Sequence, residues 1–331
     1  MPRDRLRWGL LSTARINRRL IPAIRAANRA ELVAVASREQ QRAHAYASEW
    51  QIPRAHGSYE ALLADPKVDA VYISLPNSLH VDWVVQAAQA GKHVLCEKPL
   101  AISVAGCDQI MSAAAAAGVV VAEASMHLYH PLMQKTRELV QSGAVGQVAL
   151  VRGAFSFPLD GPNDVRWRPE LGGGSLWDVG SYPVSLIRWL AGEPQEVFGW
   201  QHLVPSGVDG TFSGLLRYDS GVLGAFDCGF CGQYRLQAEV VGSEAVLTLE
   251  RPYAIDPASH ILLRRGFTEE TIALPPADPY QCEVEALTAA ALDGKPPPVP
   301  LSFSRGNVAT LVALHRAARL ERPVRLQTGS E

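Results

Sequence analysis

The chain has 331 residues, 47% of them hydrophobic and 19% charged, with a formal net charge of −2, a globular composition long enough for about two domains. This charge gives no basic field for nucleic acid and no polybasic face for an anionic membrane, and no apolar run approaches a membrane span. Five scattered cysteines speak against a disulfide framework and for a reducing cytoplasm, and Leu6–Leu11 is too short for the apolar core of a signal peptide.

Leu6–Leu11 reads as a first strand, followed by the turn Ser12-Thr13-Ala14-Arg15-Ile16-Asn17 and an amphipathic helix through Ala27. Glu31–Ala36 is a second buried strand closing on Ser37-Arg38, with a helix then running to Trp50. Ser58 caps a short helix over Tyr59–Ala64. Ala70–Ser74 is a third strand ending in Leu75-Pro76-Asn77, and the helix Ser78–Ala90 stops at the C-cap glycine Gly91. His93–Cys96, the helix Val104–Ala117 and the strand Val119–Ala122 complete the run. Strand–helix alternation with near-continuous apolar strands argues an α/β fold, a parallel sheet covered on both faces. Residues 1–124 are expected to be a Rossmann-type domain.

Ligands of such sheets bind outside the carboxyl ends of the strands. The first turn should carry G-x-G-x-x-G, but Ser12, Ala14 and Asn17 stand at those positions. Small residues still let a pyrophosphate approach, the helix beginning near Arg15 offers free N–H groups, and Ser12 and Thr13 add hydroxyls. Ser12, Thr13, Ala14, Arg15 and Ile16 are therefore candidate cofactor contacts. An NAD site places an acid near the end of the second strand. Here Ser37 and Arg38 occupy that place, with Arg42 one helical turn on, and a guanidinium suits a 2′-phosphate. NADP is the expected cofactor, with NAD the alternative. Leu75, Asn77 and His80 leave the third strand at the same edge; Asn77 alternatively caps the helix, and His80 alternatively lies on its surface. His93–Leu100 delivers Glu97, Lys98 and Pro99 to the next strand end, where a lysine meets a substrate. Pro99 fixes its own φ, and an X-Pro bond is where a cis peptide is cheap.

From Val145 the composition changes to alternating segments at Gln147–Phe157, Glu196–Leu203, Thr211–Tyr218, Leu223–Phe230, Leu236–Val241 and Ala245–Leu249. These predict a mixed or antiparallel sheet and an α+β domain over 125–331. A helix follows Pro131 to Ser142, and terminal helices over Gln281–Leu292 and Phe303–Leu320 are expected to pack back on the body. The broad sheet suggests self-association, as a homodimer or homotetramer. Gly172-Gly173-Gly174 introduces a helix over Leu176–Leu190, on which Asp178 and Tyr182, four apart, share a face. Cys228 and Cys231 form a lone C-x-x-C without a second pair, and no His/Cys/Asp cluster calls for a metal.

Several of these stretches together resemble the glucose–fructose oxidoreductase/inositol dehydrogenase (Gfo/Idh/MocA) family. They are Trp8–Ile16, Ala36-Ser37-Arg38, Leu75–His80, Ala90–Leu100 with its Glu97-Lys98-Pro99, Asn163–Arg168 and Gly172–Tyr182. The resemblance spans most of the chain. It implies a Rossmann domain followed by a larger mixed-sheet domain, and hydride transfer between NAD(P) and a sugar-like alcohol or ketone. It makes Lys98 the catalytic lysine. Tyr182 stands where inositol dehydrogenases carry a His, as in the dihydrodiol dehydrogenase and sugar-reductase branch, whose Trp-Arg pair on the cofactor is matched by Trp167 and Arg168. The missing glycines depart from the family pattern and bear on how the pyrophosphate is held.

Hydride transfer needs a proton relay at the alcohol oxygen, yet a free phenol titrates near pH 10 and a free amine near 10.4. Tyr182 is read as the acid/base and Lys98 as the group that orients the substrate oxygen and tunes Tyr182, with the reverse assignment open. Glu97 is expected to anchor Lys98 or the nicotinamide carboxamide region, and Asp178 to contact substrate hydroxyls. The reading is an NADP-dependent sugar dehydrogenase or ketoreductase; a trans-dihydrodiol dehydrogenase and a non-catalytic NADP(H)-sensing protein are the rivals.

Overall fold

The computed structural model describes residues 4–326. They form two compact units: one runs through Tyr129 and includes Asp278–Arg305, and the other comprises His130–Ala277 and the residues from Gly306 onward. No helix among the described residues is long and apolar enough to cross a membrane.

The first unit opens with β1 (Leu6–Leu11), α1 (Asn17–Ala26), β2 (Ala30–Ala36), α2 (Gln40–Glu49), β3 (Arg54–His56) and α3 (Tyr59–Leu63). It continues with β4 (Ala70–Ile73), α4 (His80–Gln89), β5 (His93–Glu97), α5 (Val104–Ala117), β6 (Val121–Ala124) and the single turn α6 (Met126–Tyr129). All six strands run parallel, in the order β3-β2-β1-β4-β5-β6. The order reverses between β1 and β4, the place where sheets of this kind hold ligands. Sequence dictates the elements directly. Every residue of β4 and three central residues of β5 are buried, as continuous apolar strands between two helical layers require. Ser58 and Ser103 accept hydrogen bonds from Ala61 N and Gly106 N and so cap α3 and α5. Gly118 ends α5 in the left-handed conformation. Asn77 does not cap α4 as the sequence suggested. It opens a 3-10 turn, Asn77–Leu79, and the N-cap position falls on Leu79.

The second unit contains α7 (Pro131–Gln141), β7 (Val148–Ser156), α8 (Ser181–Ala191), β8 (Glu196–Leu203), β9 (Asp209–Arg217), β10 (Leu223–Gly229), β11 (Arg235–Gly242), β12 (Val246–Glu250), β13 (His260–Arg265) and β14 (Thr268–Ala273). The chain then forms α9 (Pro279–Asp293), which belongs to the first unit and packs on α1, α6 and β1 there. It ends with α10 (Leu301–Leu320) and β15 (Val324–Arg325). The sheet order is β14-β13-β12-β11-β7-β10-β9-β8-β15. Its pairs are antiparallel except β7 with β10. One face packs Phe212, Leu216, Phe226 and Leu247 against Val184 and Ile187 of α8 and Leu311 and Leu314 of α10. The opposite face is open, and Trp200, Leu215 and Leu223 are each more than half exposed. The strict buried–exposed alternation of β9 records this two-sidedness.

Candidate active site

The β1–α1 turn is held without its glycines. Ser12 adopts φ +136°, a conformation in which a side chain is strained and glycine is normal. The Ser12 hydroxyl lies 2.8 Å from Ser74 Oγ and 3.1 Å from the Ser74 carbonyl, and it accepts from Ala14 N. Asn17, completely buried, donates to the Ser12 carbonyl at 2.9 Å and accepts from Ser74 Oγ at 2.8 Å. Three polar residues thus close a network between the ends of β1 and β4. The Ser12 hydroxyl works inside that network, so it is not the phosphate donor the sequence suggested. The backbone N–H groups of Thr13, Arg15 and Ile16 make no intrachain hydrogen bond among the described residues, which leaves them available to a ligand. Thr13, Ala14, Arg15 and Ile16 surround them at the start of α1, so the turn fits a pyrophosphate.

At the neighbouring strand end, Ser37 is buried, with its N–H donating to the His56 carbonyl, while Arg38 is exposed. Arg42 reaches from α2 to Thr13 Oγ1 at 2.9 Å. Both guanidinium charges act on the Tyr59 phenol, whose pKa burial nevertheless pushes up. Two cations therefore stand beside the β1 and β2 ends, where β2 is followed by Ser37, Arg38 and then Glu39. Arg42 belongs with Arg38 in this group.

The residues after β5 are fastened one by one. Glu97 accepts a short hydrogen bond from the Tyr72 hydroxyl and a second from its neighbour's N–H, Lys98 N, at 3.2 Å. The Lys98–Pro99 peptide is cis. The buried carboxylate Glu123 accepts from Leu100 N at 2.8 Å. His80 is fully buried, neither on the surface nor open to a nucleotide. Its Nδ1 lies 2.8 Å from the Pro99 carbonyl and its Nε2 2.9 Å from the Leu75 carbonyl. The expectation that His80 contacts the cofactor is corrected on this ground, since both ring nitrogens are committed to the backbone. Leu75 and Asn77 lie at the β4 end, Leu75 buried and Asn77 half-buried. Sequence reading missed Glu283 of α9. It is completely buried, its oxygens lack a hydrogen-bond partner among the described residues, and burial followed by the Glu97 charge raises its pKa well above the carboxylate range.

The second unit carries the other predicted residues. The expected helix starts as a π-helical turn, Leu176–Gly180, and becomes α-helical at Ser181. Asp178 sits in the wider turn and Tyr182 in the first α turn, so their spacing is not that of one regular helix. The turn is capped from a distance. Asp209, at the start of β9, accepts from Ser175 Oγ and Leu176 N at 2.7 Å each. Desolvation raises its pKa to about 6 against these hydrogen bonds. Gly174 makes room for it, at φ +115°: a Cβ there would lie 2.3 Å from Asp209 Oδ1. Asp178 pairs with Arg166 at 2.6 Å, and Arg166 also meets Asp164 at 3.2 Å. Asp178 is the main cause of the raised Arg166 pKa, with Asp164 and Tyr182 adding to it and burial opposing. The Tyr182 ring packs on Phe155 and Tyr253. Arg166, inside the Asn163–Arg168 stretch, was not singled out from sequence. Trp167 stands edge-on to Phe230 at 5.3 Å, and Arg168 is exposed.

Comparison with known proteins defines the class. Residues 6–125 match the model of an oxidoreductase family with an NAD-binding Rossmann fold, and residues 133–248 match the GFO/IDH/MocA C-terminal domain. The chain belongs to the Gfo/Idh/MocA oxidoreductases. Among its relatives, the D-xylose 1-dehydrogenase (NADP(+)) 2 of Haloferax volcanii is 40% identical over 96% of this chain and 99% of that protein. A dTDP-3,4-didehydro-2,6-dideoxy-alpha-D-glucose 3-reductase of Streptomyces violaceoruber is 38% identical over 86% of this chain and 85% of its own length. Among solved structures, a 3-ketoreductase from Actinomadura kijaniata in complex with NADP and TDP-benzene superposes with a TM-score of 0.89 at 28% identity, covering 95% of this chain and 98% of that one.

Proposed function

We propose that this oxidoreductase transfers a hydride between NADP and a sugar or sugar-like alcohol or ketone, with Lys98 and Tyr182 acting at the substrate oxygen. The observation that carries the reading is the fixed placement of Lys98. It follows β5 at the carboxyl edge of the parallel sheet, in a turn anchored through Glu97, Pro99 and Leu100. Such anchoring is what preorganised chemistry needs and what a solvated surface lysine does not.

NADP is favoured over NAD by Arg38 and Arg42 beside the β2 end, and relatives named for NADP support it. Thr13, Ala14, Arg15, Ile16, Ser37, Leu75, Asn77 and Glu97 complete the cofactor side, with Trp167 and Arg168 from the second unit. When bound, the nicotinamide supplies or accepts the hydride. Tyr182 exchanges the proton with the substrate oxygen, Lys98 orients that oxygen, and Asp178, set by Arg166, accepts hydrogen bonds from neighbouring hydroxyls. Names of relatives that act on sugars favour a free aldose or a keto-sugar as substrate. The open face bearing Trp200, Leu215 and Leu223 is the surface for self-association, which light scattering of the purified protein tests.

The direct experiment offers aldoses, keto-sugars and trans-dihydrodiols with each cofactor while reduced nicotinamide absorbance is followed. Turnover of a sugar with NADP(H) is expected. Turnover confined to dihydrodiols replaces the substrate class, and tight NADPH binding without any turnover overturns the enzymatic reading.

A further inference from the structure

We infer that His80 is a positioning residue for Lys98: its Nδ1–H holds the Pro99 carbonyl, and with it the turn that presents the lysine. The inference rests on the role proposed above for Lys98. His80 lies nineteen residues before Pro99 in the chain, in the first turn of α4, and no solvent reaches it. Its ring nitrogens face the backbone just beyond β4, at Leu75, and just beyond β5, at Pro99; both partners are acceptors, so a neutral ring, which burial favours, donates to only one of them. β4 and β5 are neighbours in the sheet, with Ile73 opposite Cys96. The imidazole therefore bridges two adjacent strand ends where the sheet itself no longer supplies hydrogen bonds.

The chemistry of the bridge is directional. A carbonyl oxygen only accepts, so the Pro99 bond requires a proton on Nδ1. Without it, Pro99 O is a buried acceptor facing a lone pair, and the turn after Lys98 keeps only the anchors at the Lys98 and Leu100 N–H groups. The other residues of the turn cannot substitute. Glu97 holds the Lys98 N–H and Glu123 holds the Leu100 N–H, but both are acceptors and neither can serve a carbonyl. Displacement of a catalytic group by about 1 Å can cost roughly 10²-fold in rate.

Two substitutions separate the bonds, because an asparagine amide reaches the Nδ1 position and a glutamine amide the Nε2 position. His80→Gln places its amide toward Leu75 and loses the donor toward Pro99; His80→Asn keeps a donor toward Pro99 and loses the contact with Leu75. Both are assayed at saturating substrate with NADPH binding followed by fluorescence, alongside Lys98→Ala and thermal unfolding. His80→Gln is expected to lower kcat roughly 10–100-fold with NADPH affinity unchanged, and His80→Asn to recover most of that loss. Equal losses in the two variants tracking their melting temperatures make His80 a structural residue only and overturn the inference. A matching loss of NADPH affinity makes it a cofactor contact and overturns it equally. If Lys98→Ala keeps full activity, the functional assignment fails instead, whatever the His80 pair does. Where neither variant folds, nitrogen-15 NMR of the wild-type imidazole decides: a protonated Nδ1 supports the bridge, and a bare Nδ1 refutes it.

Discussion

Replacing Asn17 with alanine should damage the first unit far more than an exposed helix-start substitution would. The residue is fully buried and makes two hydrogen bonds inside the Ser12–Ser74 network. Removing it orphans the Ser12 carbonyl and takes one partner from the Ser74 hydroxyl, which keeps its contact with Ser12 Oγ. An orphaned buried acceptor costs about 1–3 kcal/mol and a lost bond about 1 kcal/mol, so the sum is about 2–4 kcal/mol. For a unit of this size that lowers the melting temperature by roughly 5–15 °C. The same change frees Ser12 to leave its strained φ of +136°. The turn then reshapes, and NADPH affinity should fall about tenfold as its N–H groups lose alignment. Companion variants sharpen the test. Ser12→Gly removes the strain together with the hydroxyl, whereas Ser12→Ala removes the hydroxyl and keeps the strain, so glycine should be the more stable by about 1–2 kcal/mol. Thermal unfolding and fluorescence titration with NADPH measure all three. A drop of under about 2 °C for Asn17→Ala, or alanine outlasting glycine at position 12, would refute the account of how this turn dispenses with its glycines.

Asp209 gives a pH signature. Its folded pKa, about 6, lies above the ordinary aspartate value of 3.8, so the native state holds the extra proton between these limits and stability falls as pH rises through that window, by about 3 kcal/mol in all. Asp209→Asn keeps an acceptor for Ser175 and Leu176 and should flatten this slope in chemical unfolding, whereas Asp209→Ala should destabilise at every pH. Glu283, also raised, follows the same sign: Glu283→Gln should equal wild type near pH 5 and exceed it near pH 8. Arg38→Ala should weaken NADPH by roughly 10–100-fold while NADH changes little, as loss of charge-assisted bonds to a phosphate requires; equal losses for both cofactors would remove Arg38 from the phosphate site.

Elements with strong periodicity were legible from the amino acids alone. β8 falls on the residues read for it, and β1, β2, β4 and β5 follow their apolar runs to within a residue or so. β3, β13, β14 and β15 were not read as strands, and for β3 and β14 the reason is physical. Arg54–His56 is three residues long and half exposed, and Thr268–Ala273 is exposed at five of six positions. Neither carries a buried face, so each is defined by the backbone of its neighbour and not by its own pattern. The chemistry divides in the same way. Lys98, Tyr182 and Arg38 are marked by where they fall relative to a strand or helix end. The groups that fasten the turns near the candidate site are remote in sequence: Ser74 lies 62 residues from Ser12, Asp209 lies 34 from Ser175, and Glu123 lies 23 from Leu100. Single-chain spacing does not reveal such pairs. The absent glycine at Ser12 was the one local sign that something else must hold the turn.

The central claim is tested most directly by Tyr182→Phe and Lys98→Ala, each measured for single-turnover hydride transfer and for NADPH binding on the same preparation. The account predicts a fall of roughly 10²–10⁴-fold in the Tyr182→Phe transfer rate, a comparable fall for Lys98→Ala, and NADPH binding within about twofold of wild type. Transfer at the wild-type rate in either variant, with a sugar that the wild type reduces, would contradict it.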